Sequence, residues 1–113
     1  MKLLLLEQDP IIASDLRYSL EAANFDVFWT VSLEEAARWL RANQPDAAVI
    51  DAKACGETSA PIAHILADRD VPFLVYSTQM KGQNIDPVLD NAVWVSKPIE
   101  TARLIATIKS LAR

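Results

Sequence analysis

Glycine is nearly missing from this chain: there are two in 113 residues, Gly56 and Gly82. A glycine-rich phosphate cradle, which needs several glycines in one tight turn before a helix, is therefore excluded. Cysteine is rarer still. Cys55 stands alone, so no intrachain disulfide can form; this fits a reducing compartment, and a cytoplasmic location is expected. Nothing near Cys55 in the sequence marks it as an activated thiol. His64 is the single histidine, with no second ligand at helical spacing, and reads as a solvated helix residue. Long apolar runs are also absent. "MKLLLL" stops at Glu7, too short for a secretory leader and with no small-residue cleavage site behind it. Nothing approaches the roughly 18 apolar residues of a membrane span, so no membrane partner is expected. Basic charge is not in excess either. Eleven Lys and Arg against 15 Asp and Glu leave a net charge of −4, which disfavours a nucleic-acid groove.

What is present is a regular alternation. Five short apolar runs, Leu3–Leu6, Val27–Thr30, Ala47–Ile50, Phe73–Tyr76 and Ala92–Val95, are rich in branched or aromatic residues and do not alternate strictly. Such runs read as strands buried on both faces, as in a parallel sheet. Helical patterns lie between them. The first, from about Ile11 to Ala23, has Asp9 as N-cap and Pro10 at its first position. The second opens on a capping box, with Ser32 as cap and Glu35 three residues on. The third starts near Ser59, and the last runs from about Thr101 to Ala112. The stretch Gln79–Asn91 contains Gly82 and Pro87 and reads as a loop with at most a short helix at Pro87–Leu89. The expected fold is α/β: a doubly wound (βα)₅ unit over residues 1–113, with a five-stranded parallel sheet in the order 2-1-3-4-5 between two helix layers. The fourth helix is expected to be short or missing.

In such a sheet, ligands bind in the crevice outside the carboxyl ends of the strands. The first strand ends in Glu7-Gln8-Asp9, the third in Asp51, the fourth in Ser77-Thr78 and the fifth in Ser96-Lys97-Pro98. Carboxylates, a hydroxyl and a lysine from different strands are thus gathered at one edge. A carboxylate can act as a nucleophile towards phosphorus, and a lysine or metal can hold the charge that builds on the transferred oxygens.

The ordered set "EQDP", "VID", "VYST" and "SKP" resembles the receiver domains of two-component response regulators, and the resemblance covers essentially the whole chain. It implies a signalling module in a phosphorelay and not an enzyme. Asp51 would be the phosphoacceptor, served by a histidine kinase or phosphotransfer protein, with Ser77 and Lys97 on the phosphoryl oxygens. Trp94 would occupy the place of the switch aromatic on the fifth strand. Mg²⁺ would be held by the acids after the first strand, by Asp51 and by the backbone at Lys53. Two departures make this metal site degenerate. Gln8 stands where the family usually has its direct metal ligand, and Lys53 can bring a positive charge inward. The expectation is weak or absent Mg²⁺ binding at Glu7, Gln8, Asp51 and Lys53. The loop "DAKACGETS" also lacks the family's usual proline, with Cys55 near its place.

No output domain is expected after the fifth helix, so the expectation is a single-domain regulator or a domain cut from a longer protein. It would be a monomer or weak dimer and would signal by contact with a downstream protein target, through the face around the fifth helix. The alternative is a pseudo-receiver interaction module that no longer depends on phosphorylation.

Overall fold

Leu3, Leu4, Leu5 and Leu6 are buried on both faces of the sheet, on a strand flanked by neighbours on either side. The structure, a computed structural model, describes residues 1–54, 57–77, 86–97 and 100–112. Strand β1 (Lys2–Leu6) is followed by α1 (Pro10–Ala22), β2 (Asp26–Thr30), α2 (Leu33–Ala42) and β3 (Ala47–Ile50). A short ribbon comes next, β4 (Lys53–Ala54) with β5 (Glu57–Thr58), then α3 (Ala60–Asp68), β6 (Phe73–Ser77), α4 (Pro87–Asp90), β7 (Val93–Ser96) and α5 (Thr101–Leu111). The main sheet is parallel in the order β2-β1-β3-β6-β7, which is the expected 2-1-3-4-5 once the ribbon is set aside.

The period-two alternation of the strands sorts their side chains into two cores. Leu4, Leu6, Ala48, Ile50 and Val75 pack under α2, α3 and α4 through Leu40, Ile62, Leu66 and Leu89. Leu3, Leu5, Val49 and Leu74 pack under α1 and α5 through Leu16, Leu20, Leu104 and Ile108. Each such fully buried leucine or isoleucine contributes about 1.5–3 kcal/mol relative to its exposed state.

The helix starts follow the sequence signals. The Asp9 side chain accepts from the Ile11 and Ile12 amides ahead of Pro10, and Ser32 accepts from the Glu35 amide. With so little glycine, two tight turns use other residues. Asn24 (φ 72°) ends α1 and Asp70 (φ 56°) ends α3, the residue types that best tolerate the left-handed region.

Two sequence expectations need adjusting. The fifth strand lies one residue later than its apolar run, because Ala92 closes a turn onto Leu89 before the ladder begins. The stretch after Asp51, read as plain loop, contains the antiparallel ribbon, with Lys53 opposite Thr58 and Ala54 opposite Glu57. The base of the ribbon is closed by Ser59, which is fully buried and directs both its amide and its hydroxyl to the Ala52 carbonyl. The fourth helix is short, four residues. Cys55, Thr78 and Pro98 lie outside the described residues, as does most of the stretch read as a loop before α4.

Candidate functional site

The main chain ties the strand ends together. The Glu7 amide donates to the Thr30 carbonyl, the Asp51 amide to the Leu6 carbonyl, and the Lys97 amide to the Ser77 carbonyl. These bonds continue the parallel ladders one step past the strands, so Glu7, Asp51, Ser77 and Lys97 arrive at one edge. Glu7, Asp51 and Ser77 are buried, at 2%, 7% and 1% exposure.

Lys97 connects two of them. Its Nζ lies 2.6 Å from Glu7 Oε1 and 3.0 Å from Asp51 Oδ2, and 5.2 Å from the centre of the Tyr76 ring. Burial works against the ammonium. Hydrogen bonds to Glu7 and Asp51, together with their charges, outweigh it and hold Lys97 above the ordinary lysine range. Glu7 is engaged at its other oxygen too, where Oε2 accepts from the Asp9 amide at 3.0 Å. Its backbone carbonyl accepts from the Trp29 indole at 2.8 Å.

The charge arrangement differs from the one expected. Lys53 sits on the ribbon with its side chain exposed. Lys97 supplies the positive charge instead, so Glu7, Asp51 and Lys97 sum to −1. Gln8 is exposed. Asp9 Oδ1 is used as the cap of α1. Trp94 packs against the α2–α3–α4 core and donates from its indole to the Leu89 carbonyl at 2.7 Å. His64 is exposed as expected, but it also pairs with Asp86 at 3.1 Å. The Val88 amide first, and then His64, hold the Asp86 carboxyl below the ordinary value, against a smaller opposing effect of burial.

Trp29 was not singled out by sequence reasoning. It is the aromatic residue before the end of β2, paired in register with Leu5, and nothing in its type announces a bond to the next turn. An apolar groove of about 460 Å³ lies away from this edge. It is lined by Phe73 and Val93 at the entering ends of their strands, with Val88 and Leu111.

No family model matches the chain, and no curated protein matches it in sequence. Solved structures match over nearly its whole length. A response regulator receiver protein from Sinorhizobium medicae is 23% identical with a TM-score of 0.84, covering 99% of this chain and 94% of that one. The non-phosphorylated HemR receiver domain from Leptospira biflexa is also 23% identical at a TM-score of 0.84, covering 98% and 93%. The receiver domain of a sensor histidine kinase from Pseudomonas aeruginosa, with a magnesium ion coordinated in its active site cleft, is 16% identical at a TM-score of 0.84, covering 98% and 96%. The chain has the flavodoxin-like fold of the response regulator receiver domains of two-component signalling. Among its described residues, no helix is long and apolar enough to cross a membrane.

The donor set fits a magnesium ion poorly. Mg²⁺ wants oxygen ligands in near-octahedral array, usually one or two carboxylates with waters and phosphate. Here both Glu7 oxygens already accept from Lys97 and Asp9, Asp51 shares the same ammonium, and the next position offers a neutral amide. Among the described residues, no group of three His, Cys, Asp or Glu could hold a metal ion.

Proposed function

We propose that the chain is a phosphorelay receiver with Asp51 as phosphoacceptor, taking its phosphoryl group from a histidine kinase or a phosphotransfer protein. The observation that supports this is the Lys97 ammonium held against the Asp51 carboxylate at the carboxyl edge of a receiver sheet. In the transfer, an Asp51 oxygen attacks phosphorus, the P–N bond of the donor phosphohistidine breaks as the P–O bond forms, and the imidazole leaves with its electron pair and takes up a proton. Lys97 then moves its charge from the carboxylates to the phosphoryl oxygens, with the Ser77 hydroxyl as a neighbouring donor. The domain spans residues 1–113, works in the cytoplasm as a monomer or weak dimer, and passes its signal to a protein target by contact and not by catalysis. Magnesium binding is weak or absent, because the charge and the oxygen donors it needs are engaged by Lys97 and the Asp9 amide.

Intact mass after incubation with a small phosphodonor, with and without Mg²⁺, tests the reading. A gain of one phosphoryl group, absent in Asp51→Asn, is expected. An unmodified protein under both conditions would favour the second reading, a phosphorylation-independent interaction module. The engagement of both Glu7 oxygens, by Lys97 and by the Asp9 amide, would favour that second reading.

A further inference from the structure

Glu7 is fastened at four points. Its amide donates to the Thr30 carbonyl, its carbonyl accepts from Trp29 Nε1, Oε2 accepts from the Asp9 amide, and Oε1 meets Lys97. The last two hold the carboxylate, and the first two hold the backbone that carries it. The carbonyl lies beyond the last ladder pair, Leu6 with Thr30, where the chain leaves the sheet at Gln8. Strand β2 therefore supplies a side-chain donor where the ladder supplies none. The residue is 2% exposed, so a rotation of its peptide is not readily made good by water. Such a rotation would carry Oε1 away from Lys97, and Lys97 in turn from Asp51.

We propose that Trp29 is a positioning residue: its indole N–H fixes the Glu7 peptide and thereby sets where Lys97 stands relative to Asp51. Trp29 touches neither the acceptor carboxylate nor any reacting atom in the proposed transfer. The importance of this placement for signalling rests on the reading of Asp51 as phosphoacceptor, but the geometry can be tested without phosphate. Trp29 also packs among the side chains under α1 and α5, so a purely structural contribution has to be separated from the positioning one.

The readout is hydrogen exchange of the Lys97 ammonium, followed by nitrogen-15 NMR of the full chain. A buried ammonium gripped by two carboxylates exchanges slowly. Trp29→Phe keeps an aromatic ring and removes the N–H. It is expected to speed Lys97 exchange about fivefold, the factor that corresponds to a net hydrogen bond of about 1 kcal/mol. Trp39→Phe, which disturbs the stack of Trp39 on Phe28 on the other face, is expected to leave that rate unchanged. In a Glu7→Gln background, Trp29→Phe should add nothing further. Unchanged Lys97 exchange in Trp29→Phe, an equal change in Trp39→Phe, or an undiminished effect in the Glu7→Gln background would each overturn the proposal. If Trp29→Phe does not fold, the reverse measurement decides. Glu7→Gln should speed exchange of the Trp29 indole N–H, and an unchanged rate would overturn the inference. Failure of Asp51 to take up phosphate would leave these rates untouched, so the two readings fail separately.

Discussion

Replacing Lys97 by methionine removes one ammonium and leaves Glu7 and Asp51 facing each other without the cation they share. The wild-type side chain is 7% exposed, and its two partners are 2% and 9% exposed, so water replaces little of what is lost. Breaking a buried ion pair from one side costs about 3–5 kcal/mol, because a charge is left uncompensated. For a domain of this size, that corresponds to a fall in Tm of about 10–20 °C. Urea unfolding of wild type and Lys97→Met at neutral pH measures it directly. The pH dependence carries the sign. In the variant, two buried negative charges face each other with no cation between them, so the deficit is expected to shrink as pH falls. Wild type behaves differently at the alkaline end. Its Lys97 pKa is raised on folding, so the contribution is fully present below the ordinary lysine value and is lost as pH climbs through the folded one. A Lys97→Met variant within about 1 kcal/mol of wild type at neutral pH, with no recovery in mild acid, would refute the buried-clamp account.

Magnesium titrated to millimolar levels should leave tryptophan fluorescence nearly unchanged. Gln8→Asp should tighten binding by at least about tenfold in calorimetry, a small part of what a carboxylate and a cation exchange near a protein surface, while Lys53→Asn should do nothing because Lys53 faces solvent. Trp94 is held by its bond to the Leu89 carbonyl, and turning so bulky a ring within a packed core is costly, so its indole resonance should stay in place when beryllofluoride is added. A large shift would show that Trp94 moves with the state of Asp51. Asp86→Ala should speed amide exchange at Val88, whose N–H it accepts. Because the Asp86 pKa is depressed on folding, the difference from wild type is present above the unfolded carboxylate value and disappears as pH falls through the folded one.

Much of the fold could be read from the chain because each signal was local. Unbroken apolar runs such as Leu3–Leu6 marked doubly buried strands, Asp9 and Ser32 marked helix starts, and Pro87 marked the short fourth helix; all three kinds of signal correspond to observed elements. The order of the strands then fixed which residues share the edge. Depth and reach were not legible. Lys53 and Lys97 are equally lysine in the sequence, and only the ribbon, which the polar stretch after Asp51 did not announce, turns the former outward. The bond from Trp29 to Glu7 spans 22 positions between neighbouring strands and depends on how far the first strand runs past the last ladder pair. No periodicity encodes that distance.

The three tryptophans are divided between the two sides of the sheet. Trp39 and Trp94 pack with the core under α2, α3 and α4, and Trp29 with the core under α1 and α5. Each helix layer therefore carries its own intrinsic chromophore. Variants that keep only Trp29 or only Trp39 would follow consolidation of the two layers independently in parallel rapid-mixing experiments. Two-state folding requires the two signals to rise with one rate, and a layer that closes first would separate them.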